Sequence, residues 1–159
     1  MKEKLGVDLG TSNVVVARMV GNEPTAVPLQ DGIYLPSYVG LSGPNDLRPV
    51  VGKAARDRWF VGDEGYYRGF KLDMGAGVEY SSGATPKLLT RRLMEGLHPI
   101  LRQQSGGAVE VGEIVVSVPH GWDSLDSPRR LETLQAVTDA GFTVYRLISE
   151  PVAAAAYHL

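Results

Sequence analysis

The chain has 159 residues, 43% of them hydrophobic, no cysteine and a formal net charge of −2. One domain with a substantial core is expected at this length, burying roughly two thirds of the surface that the unfolded chain exposes. Disulfides, thiolate chemistry and cysteine-bound zinc are excluded, and the slightly negative balance gives no reason to expect nucleic acid or an acidic membrane as partner.

Met1-Lys2-Glu3-Lys4 leads directly into apolar residues with no signal-like region behind the charges. No run approaches the ~20 apolar residues of a membrane span. A cytoplasmic location without membrane contact is therefore expected. Residues 5–9 read as a buried strand, 13–20 as a second and 25–29 as a third, joined by short turns into an antiparallel meander. Between the first two lies Asp8-Leu9-Gly10-Thr11-Ser12-Asn13. Glycine lets the backbone turn tightly and approach a ligand closely. Successive N–H groups in such a turn form a concavity that suits phosphate. Asp8, at the strand end, suits a hydrated Mg²⁺, which keeps most of its waters and takes one or two carboxylates.

Residues 31–84 are irregular and rich in glycine. An irregular stretch this long inside a compact domain is expected to be a small inserted subdomain, leaving 1–30 and 85–159 as the main body. Within it, 35–41 reads as one extended segment and 52–59 as a short helix. Thr85-Pro86 opens the next helix as N-cap and first helical residue, with Leu89, Leu93, Leu97 and Ile100/Leu101 on one face. Pro99 is expected to kink it or force a restart, and Ser105-Gly106-Gly107 to end it. Residues 113–119 form an apolar run that suits a strand covered on both faces. Ser127-Pro128 caps a helix that stops at Gly141, with Leu131, Leu134 and Val137 inward. A strand over 142–148 and an alanine-rich helix over 152–159 complete the chain.

The last two strands are joined by a helical crossover and should be parallel. Three meandering strands, an insertion, then helix, strand, helix, strand, helix is the order of the ribonuclease H-like α/β fold. A mixed five-stranded sheet with flanking helices is expected. Asp8 and Glu150 should then open on the same side of that sheet, where ligands of open α/β sheets gather. His98, His120 and His158 show no metal-ligand spacing, and Trp59 and Trp122 read as packing residues.

Three separated stretches resemble the first lobe of the Hsp70-type nucleotide-binding domain, within the actin, Hsp70 and sugar-kinase ATPase superfamily. They are Val7-Asp8-Leu9-Gly10-Thr11-Ser12-Asn13, Glu113-Ile114-Val115-Val116-Ser117-Val118-Pro119, and Arg146-Leu147-Ile148-Ser149-Glu150-Pro151-Val152-Ala153-Ala154-Ala155-Ala156-Tyr157. Weaker echoes are Leu35-Pro36-Ser37-Tyr38-Val39, Val51-Gly52-Lys53-Ala54-Ala55 and Phe70-Lys71-Leu72-Asp73-Met74-Gly75, all in the family's order. The resemblance implies an ATP/ADP site with Mg²⁺ held by Asp8 through water. It implies that Gly10, Thr11, Ser12 and Asn13 cradle the β- and γ-phosphates. Lys71 would reach the γ-phosphate and the attacking water, and Glu150 would lie near the metal and its waters. Pro119, with Arg129 or Arg130, would relay nucleotide state to the rest of a chaperone.

The family's second lobe, with its own phosphate loop and adenosine pocket, is not found in these residues. Half of an ATPase is therefore expected, with weak ATP binding, negligible turnover and self-association through an exposed cleft face. Co-chaperones and client proteins are the partners the resemblance implies. The alternative is a lobe of an actin-like filament former or cell-shape scaffold, against which the length of the inserted subdomain speaks. A ribonuclease H-type nuclease would need more carboxylates at the strand ends and a basic face, and Glu113 lies at the wrong end of its strand. Nothing marks a sugar site.

Overall fold

The computed structural model describes residues 2–43, 45–104, 110–122 and 124–157. Its main sheet runs in the order β3-β2-β1-β8-β9, with a short sixth strand, β4, also paired to β2. The strands are β1 (Lys2–Leu9), β2 (Asn13–Val20), β3 (Glu23–Ala26), β4 (Tyr34–Pro36), β8 (Glu110–Val118) and β9 (Thr143–Ser149). β1 pairs antiparallel with β2 and parallel with β8, and β8 parallel with β9. The mixed sheet and its helices have the ribonuclease H-like architecture of an actin-fold lobe. The C-terminal ends of β1, β8 and β9 thus share one rim.

A second sheet has the order β6-β5-β7, from β5 (Tyr38–Gly40), β6 (Val50–Val51) and β7 (Tyr66–Arg68), with α1 (Lys53–Phe60) beside it. The extended segment expected over 35–41 is real but divided. β4 joins the main sheet and β5 the small one, with Ser37 between them. Ser37 is buried, donates its hydroxyl to the Gly10 carbonyl at 2.8 Å and its N–H to the Ser12 carbonyl at 2.8 Å. The junction between the sheets is therefore fastened to the β1–β2 turn. The third strand begins at Glu23, two residues earlier than its composition suggests, because Gly21 takes φ 61° and turns the chain back at once.

α2 (Pro86–Gln104) and α3 (Pro128–Asp139) supply the main core. Leu89, Leu93 and Leu97 of α2 are fully buried in one core with Val14, Val16, Ile114 and Val116. Thr85 Oγ1 accepts the Leu88 N–H at 3.2 Å, and Ser127 Oγ accepts the Arg130 N–H at 3.5 Å, so both expected caps are present. α2 runs on through Pro99, so the helix does not restart there. Pro99 is exposed, and buried Leu97 and Leu101 hold the helix on either side of it. The Ser105-Gly106-Gly107 stop lies outside the described residues.

Two of the three residues expected to face inward from α3 do so: Val137 is buried and Leu134 packs partly buried against the core. Leu131 is exposed, and Thr133 and Ala136 are buried as well. Thr133 can be buried because its hydroxyl donates to the Arg129 carbonyl at 2.7 Å. α4 (Glu150–Tyr157) starts two residues before the expected 152, with Pro151 in its first turn.

β8 is not covered on both faces by the described residues. Ile114, Val116 and Val118 are fully buried, whereas Val115 is only half-buried. Gly6, Val15, Ala17, Val115 and Ile148 floor an open apolar hollow on the other face, with Ala153 of α4 at its side. No helix among the described residues is long and apolar enough to cross a membrane.

Candidate functional site

The common rim carries most of the residues singled out above. Asp8 is the penultimate residue of β1, paired across the sheet with Val15 of β2 and Ser117 of β8. Its carboxylate is exposed, and Oδ1 accepts the Ser117 hydroxyl at 2.5 Å. That leaves Oδ2 without a described protein donor. Ser117 is the polar interruption in an otherwise apolar run, and it is 7% exposed.

Residues 10–12 make the β1–β2 turn. An atom added at the Cβ position of Gly10 would lie 2.3 Å from the Asn13 carbonyl oxygen, so the turn is closed too tightly for a side chain. Its shape is set from outside by the two Ser37 hydrogen bonds. Ser12 and Asn13 are exposed at its tip.

Lys71 comes to this rim from a 3-10 turn, Phe70–Asp73, that follows β7. The side chain is 4% exposed. Its ammonium donates to the carbonyl of Leu9, the last residue of β1, and to Glu150 Oε1 at 3.3 Å. Glu150, first residue of α4, is 47% exposed on its side chain. An ammonium has three donors, so among the described residues one remains beyond these two acceptors. Burial pulls the Lys71 pKa below its ordinary 10.5, and the nearby carboxylates of Glu150 and Asp8 pull in the opposite sense without fully offsetting it. Residues 8, 71 and 150, far apart in sequence, therefore sense one another at a single point.

Behind Lys71 stands Trp122, 6% exposed. Its ring centroid is 6.0 Å from Lys71 Nζ and 5.3 Å from the Arg129 guanidinium carbon. Gly75 packs onto Arg129 so closely that a Cβ would lie 2.7 Å from the Arg129 nitrogen, and the Gly75 N–H donates to Glu132 at 2.8 Å. The turn that carries Lys71 is thus bound to the first turn of α3. Pro119 directly follows β8, and its carbonyl accepts the Trp122 N–H at 3.1 Å. Of the two arginines, Arg129 reaches this cluster through Trp122. Arg130 contributes the backbone N–H that Ser127 caps.

Ser117, Ser37 and the placement of Trp122 are additions to the sequence reading. The hydroxyl within an apolar strand was a usable signal for Ser117. Nothing local marks Ser37, whose partners lie 27 and 25 residues earlier.

No protein-family model matches the chain. The chaperone protein DnaK of Thermoplasma acidophilum is 31% identical to it over 163 aligned positions, covering 98% of this chain and 25% of that protein. DnaK of Methanothermobacter thermautotrophicus is 32% identical, covering 96% of the chain and 26% of the relative. DnaK of Endomicrobium trichonymphae is 31% identical, with 97% and 25% covered. The chain spans about a quarter of the length of these curated relatives. Along nearly all of its own length, then, this chain is a homologue of DnaK, the Hsp70-type chaperone.

Proposed function

We propose that the chain is the first lobe of an Hsp70-type ATPase and holds the phosphate tail of Mg-ATP at the rim formed by β1, β8 and β9. In this reading residues 1–30 and 85–159 form the lobe's main body, and 31–84 its small subdomain, apart from β4, which belongs to the main sheet. The observation that carries the proposal is the meeting of buried Lys71 with Glu150 at the end of the Asp8 strand. A cation is rarely buried unless it is paired or serves a site. Here one of its donors stays available beside a tight turn that offers backbone N–H groups.

The donor set fits Mg²⁺. One exposed carboxylate with a free oxygen, and a second carboxylate nearby in contact with water, suit a cation that keeps several waters and takes phosphate oxygens. When bound, Mg²⁺ would neutralise phosphate charge. Asp8 would hold it through water, with its carboxylate oriented by Ser117. Gly10, Thr11, Ser12 and Asn13 would cradle the β- and γ-phosphates. Lys71 would direct its remaining N–H toward the γ-phosphate and the attacking water. Glu150 would hold Lys71 in place and order water. Phosphoryl transfer to water requires positioning and positive charge more than covalent help, and these residues supply both. Pro119 and Arg129, joined through Trp122, would pass nucleotide state onward. Arg130 would join that relay through the first turn of α3.

ATP hydrolysis, co-chaperones and client proteins belong to the longer protein in this proposal, and its location is the cytoplasm. The open apolar hollow on the second sheet face supports the need for further chain, since sheets with parallel strands are ordinarily covered on both sides. Alone, the chain is expected to bind Mg-ATP weakly and to hydrolyse it negligibly, because residues that would close over the nucleotide are missing. Isothermal calorimetry with a phosphate-release assay tests this. Dissociation constants near or above about 100 μM without turnover are expected. Micromolar affinity with steady turnover overturns the one-lobe reading.

A further inference from the structure

Arg68 ends β7 directly opposite Tyr38 of β5. Side chains so paired rise together from one face of a sheet. Trp59 of α1 lies beside them. The Arg68 guanidinium carbon is 4.3 Å from the indole centroid, and the Tyr38 ring meets the indole edge-on at 5.9 Å. Arg68 is exposed, and among the described residues no carboxylate pairs with it. Arg56, Arg58, Arg91 and Arg92, by contrast, each pair with an aspartate or glutamate.

The same arginine lines a cavity of about 240 Å³ with Thr11, Ser12, Tyr38, Gly69 and Leu72. No acidic residue lines it. It is smaller than the roughly 300–1,000 Å³ of pockets that take whole small molecules, and suits one charged group. A guanidinium that stacks by its face keeps its in-plane N–H groups free, and these match a phosphate in a bidentate way. The indole also restricts the side chain in advance, lowering the cost of ordering it on binding. Thr11, Ser12 and Tyr38, each with a hydroxyl, share the lining with Gly69 and Leu72.

We propose that Arg68, Thr11, Ser12 and Tyr38 form an anion subsite on the small-sheet side of the β1–β2 turn, and that it receives a phosphate group by the edge of the Arg68 guanidinium. Lys71 serves the buried side of the rim and Arg68 the open side. This proposal rests on the reading of the turn as a phosphate loop.

The test is an NMR titration of the ¹⁵N-labelled chain with inorganic tripolyphosphate and, separately, inorganic phosphate. The Arg68 Nε–H signal and the Thr11 and Ser12 amides are expected to move together. Arg68→Gln is expected to weaken tripolyphosphate binding about tenfold, as loss of a charge-assisted pair does. Arg68→Lys, which keeps charge but not the fork, should weaken it about threefold. Movement with tripolyphosphate alone assigns the subsite to a nucleotide's tail; equal movement with inorganic phosphate assigns it to the free ion. Wild-type affinity in Arg68→Gln overturns the subsite, and in Arg68→Lys does so should the glutamine variant fail to fold. If Thr11→Ala weakens binding while Arg68→Gln does not, the subsite falls and the phosphate loop stands. If tripolyphosphate moves neither the turn nor Arg68, both fall.

Discussion

Gly10→Ala is expected to destabilise the fold by about 3 kcal/mol and to remove phosphate binding. The added methyl would sit 2.3 Å from the Asn13 carbonyl oxygen, a backbone atom that cannot swing aside as a side chain would. Asn13 opens β2, and the five pairs of β1 with β2, from Leu9–Val14 to Leu5–Arg18, follow from its position. The other side of the turn is no freer, because Ser37 holds the carbonyls of Gly10 and Ser12. Relief must therefore distort the turn or loosen the first hairpin, and either change scatters the N–H groups of the proposed phosphate site. Urea unfolding of Gly10→Ala and Ser12→Ala measures this. Ser12 is exposed, and its loss should shift stability by no more than about 0.5 kcal/mol. Equal midpoints for Gly10→Ala and the wild type would show that the turn is more open than described.

Lys71→Met is expected to lower Mg-ATP affinity about tenfold while leaving stability within about 1 kcal/mol of the wild type. Burying an ammonium is costly, and a thioether of similar shape carries no such cost. Glu150 is not stranded by the change, since nearly half of its side chain meets water. The Leu9 carbonyl loses a donor, which offsets part of the gain.

The same variant reports the state of the lysine. Burial places the Lys71 pKa below 10.5 in the folded chain. Between that lowered value and 10.5 the unfolded chain binds more protons, so stability rises with pH through this interval. Below the lowered value the penalty for the charged, buried ammonium is present in full. Lys71→Met should lack the rise. Tyr80, pushed up by burial and by its hydrogen bond to Asp73, acts in the opposite direction in alkaline solution. It is present in both proteins and cancels in the difference. Identical pH dependence of urea midpoints between pH 8 and 10.5 would contradict the described burial.

The sheet and its rim were legible because their signals are local. Alternation in β1 and β2, glycine at the turn, threonine and serine caps and the leucine stripe of α2 each lie within a few residues. Where neighbours decide, local patterns misread. Pro99 stays within α2, between buried Leu97 and Leu101, and Leu131 is exposed while Thr133, its hydroxyl satisfied by the Arg129 carbonyl, is buried. The 35–41 stretch reads as one strand, and only the hydrogen bonds of Ser37 divide it between two sheets.

The site shows the same boundary. Asp8 and the turn beside it carry their own chemistry in the residue order. Glu150 is placed at the rim by the order of the elements and Lys71 only by the family resemblance, and their contact, across 79 residues, has no local signal. Trp122 reads locally as a packing residue and does pack, but between two cations. Arg68 gave no signal at all, because its meaning depends on Trp59 beneath it and Thr11 across from it.

A nucleotide's phosphates are expected to reach the end of β1. Amide and side-chain NMR shifts of the ¹⁵N-labelled chain on addition of Mg-ATP test this most directly. The largest changes should fall on Gly10, Thr11, Ser12, Asn13, Lys71 and Glu150. Changes gathered instead around Leu41, Gly65 and Tyr66, or none anywhere at millimolar nucleotide, would contradict it.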